Sequence, residues 1–296
     1  MIGLSLIDEC INNQTYVIAI LRKGSKKRHL IPDSKLVSVY ECDLSKLGEL
    51  DIMEGFGSDA FFHFAWSNTD KEGRKNAQLQ EQNIGTTLDS LKLAHRLKCN
   101  RFIGAGSQAE YGRHEGLISP KMAVSPDSAY GIAKYAAGKL ASILSTELSI
   151  PFIWTRIFSV FGPNDLPSTM IMHCIHELLQ QKRPALTKCE QMWDYLYCGD
   201  AAKIFYLLGT KGTDQSIYNI GSGYSRPLSE YVSIIKDTID RDLPLGIGDL
   251  DYTENQVMSL CPDISNLIQD TGFRPGDTFA DGIINTINWY KDKVME

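Results

Sequence analysis

Residues 102–112 read FIGAGSQAEYG: an aromatic, β-branched and glycine-spaced run that stops on a serine and a turn. The pattern is that of a short buried strand, and it leaves Ser107 at the strand's carboxyl end. Working outward, TYVIAIL (15–21), KLVSVYECDL (35–44), DAFFHFAW (59–66) and PFIWTRIF (151–158) have the same strand character. Helical stretches lie between them. Residues 2–12 read as helix, 77–98 carry Leu88, Leu91 and Ala94 at helical spacing, and an alanine-rich helix follows the start signals Ser125, Pro126, Asp127 and Ser128.

Strands alternating with long helices imply parallel βαβ units, hence an α/β fold with a doubly wound parallel sheet covered on both faces. Such sheets bind ligands at the carboxyl ends of their strands, where Ser107 sits. Beyond Phe161 the chain becomes irregular and rich in Gly and Pro (FGPNDLPST, GSGYSRPLSE, LPLGIGDLDYTENQ). The expected organisation is a sheet domain over 1–160 and a smaller lobe over 161–296 that closes over a ligand, with some of its segments returning to the sheet.

Composition narrows the function. The chain has 296 residues, 43% hydrophobic and 22% charged, enough for one large domain or two smaller ones. A net charge of −6 with scattered cations offers no basic face to nucleic acid and no polybasic membrane anchor. No apolar run approaches the roughly 20 residues that span a bilayer, and the start lacks the features of a secretory signal, so the reading is cytoplasmic. Seven widely spaced cysteines without a C-x-x-C pair suit free thiols. His173 and His176 share a helix face but have no third ligand nearby in sequence, so no metal site is expected.

Tyr130 and Lys134 stand one helical turn apart on the alanine-rich helix. A phenol ionises near pH 10, and an adjacent ammonium favours the phenolate, which would let Tyr130 exchange protons near neutrality. With Ser107 upstream, the chain resembles the extended short-chain dehydrogenase/reductase family, in the nucleotide-sugar epimerase/dehydratase branch. The likeness covers FIGAGSQAEYG, SAYGIAKYAAGKL, TRIFSVFGPND, WDYLYCGDAAK, YNIGSGYSRPLSE and DISNLIQDTGFRP, essentially the whole length. It implies a Rossmann-type sheet and a catalytic trio. Ser107 would bond the sugar oxygen, Tyr130 would transfer the proton, and Lys134 would hold the nicotinamide ribose and tune Tyr130. It also implies a nucleoside-diphosphate sugar as substrate and, by analogy, a homodimer through the helical face that includes the Tyr130 helix.

Four departures from the family pattern sharpen the reading. IGLSLIDEC (2–10) matches only the end of the family's glycine-rich phosphate loop, Gly3 standing for its third glycine. The first strand is missing, which would open a gap in the sheet; the expectation is that Met1 is an internal methionine and that the protein begins about a dozen residues upstream. The position where NAD-binding relatives carry an aspartate is Arg22, followed by Lys23 and Ser25, which favours the 2′-phosphate of NADP over NAD. Asp43 and Leu44 are expected at the adenine and Ala65 beside the cofactor.

The residues after Ser107 are Gln108 and Ala109 where 4,6-dehydratases carry Asp-Glu, and Glu110 is one position out of register. This argues against dehydration and leaves a C4 epimerase or a 4-ketoreductase. Finally, the arginines that grip the substrate's pyrophosphate are absent: Trp193 precedes Asp194, and TENQVM has none, leaving Arg183, Lys188 or Arg226 as possible substitutes. A catalytically impaired dinucleotide sensor of the same fold is the alternative; the trio argues against it and the missing loop for it.

Overall fold

Apolar runs flanked by helices build the scaffold that the sequence implies. The computed structural model describes residues 1–50, 57–254, 256–276 and 278–295. Helix α1 (Ile2–Asn12) leads into strands β1 (Val17–Leu21) and β2 (Val37–Glu41), then β3 (Phe61–His63), α2 (Ala77–Arg96) and β4 (Phe102–Ser107). A short β5 (Leu117–Ile118) precedes α3 (Ala129–Glu147) and β6 (Phe152–Ile157). The second half adds β7 (Ser159–Phe161), α4 (Met170–Leu179), β8 (Ala185–Leu186), β9 (Met192–Tyr197), α5 (Cys198–Lys211) and β10 (Ser216–Ile220). It ends with β11 (Ser225–Pro227), α6 (Leu228–Ile239), β12 (Gly246–Ile247), β13 (Ser259–Pro262), α7 (Ser265–Thr271) and α8 (Phe279–Met295).

The main sheet has four parallel strands in the order β10-β6-β4-β3, with β4 held between β3 and β6. Alternate residues point to opposite faces. Ile103 and Ile153 join α1, α5 and α7 through Leu6, Ile204, Phe205 and Leu267. Phe102, Phe152 and Trp154 join α2 and α3 through Leu91, Ala94, Ala137 and Ala141. Each such buried side chain contributes about 1.5–3 kcal/mol. Helices thus cover both faces, as the alternation predicts. β1 and β2 form a separate parallel ladder, and among the described residues no ladder joins β1 to β3.

A third core gathers α4, α6 and α8 around Ile171, Ile175, Val232, Ile235, Ile283 and Ile287. α5, β10 and α7 belong instead to the sheet and its cover, although they follow residue 161. Helices α2 and α3 begin where side chains satisfy free N–H groups. The Asn76 carboxamide oxygen accepts from Leu79 N–H at 3.1 Å before α2, and Ser128 Oγ accepts from Gly131 N–H at 3.1 Å at the start of α3.

Candidate active site

Ser107 ends β4 and caps the single 3-10 turn Gln108–Glu110. Its Oγ accepts from Ala109 N–H at 3.2 Å, while Glu110 Oε1 reaches back to accept Ser107 N–H at 2.9 Å. This reciprocal cap fixes the serine's backbone. Glu110 is buried, and also accepts from Trp154 Nε1–H at 3.0 Å and Arg156 Nε–H at 2.9 Å. Arg156 is buried as well, so the pair is a charge-assisted anchor beneath the site and not a surface ion pair. Gly106 makes room for it: a Cβ there would lie 2.2 Å from Glu110 Oε1.

Helix α3 approaches that turn closely because Gly131 has no side chain; a Cβ would lie 2.3 Å from Ala109 O. The approach brings the Tyr130 phenol up to Ser107, whose side chain favours its ionised form. Lys134 points inward one turn later, with Nζ donating to Ala105 O at 2.5 Å and lying 3.7 Å from the centre of the Trp66 ring. Its distance to the Tyr130 ring centre is 5.8 Å, while the Arg74 guanidinium lies over that ring at 4.7 Å. Trp66 meets Tyr130 edge-on, with ring centres 6.1 Å apart.

Burial dominates the electrostatics. It pushes the Tyr130 phenol above its usual value, opposed by the neighbouring Ser107 hydroxyl and the Arg74 charge. It pulls Lys134 down to about 7, against the Glu110 carboxylate, which favours the ammonium. His63, at the end of β3, is held down to about 3 by burial and by Lys134. Desolvation raises Glu110, with Arg156 pulling the other way. The expectation that Lys134 lowers the Tyr130 pKa meets a different geometry. The lysine donates to a backbone carbonyl and lies on an indole face, and of the two cations over the phenol ring Arg74 is the nearer.

The trio predicted from sequence is therefore brought together. The other named positions stand at strand ends: Arg22 and Lys23, exposed, after β1; Asp43 and Leu44 after β2; Ala65 after β3. Gly3 lies in the first turn of α1, where a Cβ would meet the Phe64 ring, just past β3, at 3.8 Å, an ordinary contact. Trp193 is packed, donating Nε1–H to Ser159 Oγ at 2.8 Å, and its neighbour Asp194 accepts Ser222 N–H, Ser222 Oγ–H and Tyr224 N–H, fastening the loop after β10. Of the substitute cations, Arg183 pairs with Asp249 at 2.8 Å and Arg226 lies 5.2 Å from the Tyr231 ring centre. His176 Nδ1 lies 2.6 Å from Tyr290 Oη.

Sequence reasoning missed Trp66, Arg74 and Arg156 and left Glu110 without a role. A polar pair on α2 was the available signal. Gln80 and Asn83 are buried at 0% and 1% exposure, and they bind Trp66 Nε1–H and Ser67 N–H at 2.8 and 2.7 Å.

Residues 1–221 match the sequence profile of the NAD dependent epimerase/dehydratase family. The chain belongs to that family. Within it, an uncharacterized UDP-glucose epimerase of Bacillus subtilis (strain 168), YtcB, is 26% identical over 268 residues, spanning 88% of this chain and 82% of its own. A dTDP-glucose 4,6-dehydratase of Escherichia coli is 30% identical over 185 residues, 59% of this chain and 51% of its own. Among solved structures, the UDP-N-acetylglucosamine 4-epimerase from Methanobrevibacter ruminantium M1, in complex with UDP-N-acetylmuramic acid, superposes with a TM-score of 0.88 at 22% identity, covering 99% of this chain and 96% of that one. That likeness is one of fold. Among the described residues, no helix is long and apolar enough to cross a membrane.

Proposed function

We propose that the chain is a cytoplasmic NAD(P)-dependent enzyme of nucleotide-sugar metabolism, a 4-epimerase or 4-ketoreductase acting on a nucleoside-diphosphate sugar. The observation that carries this reading is the placing of Tyr130 beside Ser107 at the carboxyl end of β4, with Lys134 one turn behind. Gly3, Arg22, Asp43, Leu44 and Ala65, with Lys134, would hold the dinucleotide, and the donor set suits it. The Arg22 and Asp43 side chains make no hydrogen bond or ion pair with the described residues, so a cation and an acceptor are available at the strand ends. A bound nicotinamide supplies the hydride acceptor and donor. Ser107 hydroxyl bonds the C4 oxygen and orients it; Tyr130 takes the proton from that oxygen and returns it when the carbonyl is reduced. Residues 161–296, apart from the segments in the sheet, would bind the sugar nucleotide.

Three finer statements belong to this proposal. Dehydration is disfavoured, because Gln108 and Ala109 cannot transfer protons and the Glu110 carboxylate is engaged by Ser107, Trp154 and Arg156. NADP is favoured over NAD, because the exposed loop after β1 carries Arg22, Lys23, Lys26 and Lys27. Two copies would pair through α3, where Ile132, Leu140 and Ile143 are 53%, 45% and 60% exposed.

The test is to incubate the protein with UDP-, dTDP- and GDP-sugars and with their 4-keto derivatives, supplying NAD(H) or NADP(H), and to follow C4 by NMR. An epimerase inverts C4 with no net change in the dinucleotide; a reductase consumes the 4-keto sugar and NAD(P)H in equal amounts. Unchanged sugars throughout would sink the proposal.

A further inference from the structure

We propose that the protein carries a second small-molecule site, toward the opposite end of the sheet from Ser107, that binds a phosphate ester bearing hydroxyl groups. The reaction proposed above does not depend on this site.

The site is a cavity of about 490 Å³ between α3, the segment 120–124 and the start of β10, within the size range of small-molecule pockets. Its position separates it from the chemistry. As the crossover helix between the parallel strands β4 and β6, α3 starts with Tyr130 beside Ser107 and runs back along the sheet. Lys139, which lines the cavity, therefore lies roughly 13 Å along the helix from Tyr130. Ser216, also in the lining, opens β10 and pairs with Ile153 near the start of β6, whereas Ser107 pairs with Ile157 at its end. None of the positions given to the dinucleotide or to the sugar oxygen lines this cavity.

The lining is cationic. Arg156, Lys121 and Lys139 contribute to it and no acid does. Arg156 is buried, gives its Nε–H to Glu110, and has only a long 3.4 Å contact from Nη1 to Pro120 O. Glu110 balances that charge, and the exposed Lys121 and Lys139 then leave a surplus of positive charge. Asp214, beside Gln215 in the chain, does not cancel it, because its carboxylate is turned to the N–H groups of Phe152 and Gln215 at 2.7 and 2.8 Å. Two surplus ammonium charges match the charge of about −2 on a phosphate monoester better than the single charge of a carboxylate, and the guanidinium adds planar donors.

An unpaired acceptor supplies the other half of the ligand's chemistry. Asn266 Oδ1 is buried and, alone among side-chain N and O atoms of the described residues, has no hydrogen-bond partner. Its orientation is fixed: Nδ2 donates to Ile217 O at 2.9 Å, and a flipped amide would set oxygen against oxygen. A buried acceptor without a donor is costly, and Asn266 lines the same cavity as the three cations. A ligand hydroxyl is the donor that this oxygen lacks, and Ser216 adds a hydroxyl to the same wall. An anion at the cations and a hydroxyl at Asn266 together describe a phosphorylated sugar or polyol.

The experiment labels the methionine methyls with carbon-13, assigns Met122, which lines the cavity, with a Met122→Leu variant, and titrates the full chain with glucose 6-phosphate, inorganic phosphate and glucose. Glucose 6-phosphate should displace the Met122 resonance to saturation and bind more tightly than inorganic phosphate; glucose should leave the resonance in place. Lys121→Gln combined with Lys139→Gln should weaken both phosphates about tenfold. Asn266→Ala should weaken glucose 6-phosphate about three- to tenfold and hold inorganic phosphate within about twofold, which also shows the variant to be folded. NADPH and UDP, directed to the other end of the sheet, should leave the titration unchanged. A Met122 resonance that does not move, affinities unaltered by the paired lysine substitutions, or displacement of the ester by UDP overturns the site. Glucose binding as tightly as its phosphate, or Asn266→Ala weakening both phosphates alike, overturns the ligand class.

Discussion

The ends of β4 and β1 are built in opposite ways. β4 is buried along its whole length, and its last residue is locked by a reciprocal cap above an internal ion pair. β1 is half-buried throughout and runs into the exposed cations Arg22 and Lys23. Under the proposed function, the contrast separates two jobs. Chemistry needs atoms held to a fraction of an ångström, so Ser107, Tyr130 and Lys134 stand on over-determined backbone. Recognition of an adenosine end needs charge and reach, which exposed side chains supply. Changes at the first end should cost stability and turnover together; changes at the second should alter cofactor choice alone.

The most damaging way to probe that contrast is to remove Glu110. Glu110→Ala leaves Arg156 buried without its carboxylate, and should destabilise the fold by about 3–5 kcal/mol in a denaturant titration. A loss below about 1 kcal/mol would mean that the anchor is dispensable. At the other end, Arg22→Glu should shift preference from NADPH toward NADH by roughly ten- to a hundredfold in Kd, the worth of a charge-assisted bond of about 1.5–3 kcal/mol. Stability should stay within about 0.5 kcal/mol, since Arg22 is exposed. An unchanged NADPH to NADH ratio would remove Arg22 from the cofactor site.

The same contrast has a pH-dependent side. Lys134 has its folded-state pKa lowered from 10.5 to about 7, so between those values the unfolded chain binds more protons. Stability contributed through this residue therefore rises with pH across that window. Lys134→Met should remove the rise, so the melting temperature of wild type relative to the variant should climb by on the order of a few degrees from pH 7 to 10.5. A flat difference would show that the ammonium is not desolvated as the geometry implies.

Much of this was legible in the sequence because it depends on local pattern. The strands around Val17, Val37, Phe61, Phe102 and Phe152, helices α1 to α3 and the Ser128 cap all follow from periodicity and start signals. The trio follows from the resemblance to the family, which the spacing on one helix and Ser107 at a strand end support but do not establish alone. What the sequence hid depends on contacts between distant segments. Glu110 finds Trp154 and Arg156 only once β4 and β6 are paired, and Arg74 reaches Tyr130 only because Gln80 pins its turn. The short strands β5, β7, β8, β11 and β12 are likewise defined by their partners and not by their own composition.

The central claim is that Tyr130 carries the proton at the sugar's C4 oxygen, and Tyr130→Phe tests it most directly. With a substrate found in the sugar-nucleotide panel, the variant should bind NAD(P)H as wild type does and lose turnover by about 10²–10⁴-fold. Turnover within a few-fold of wild type would contradict the account, whatever the dinucleotide affinity.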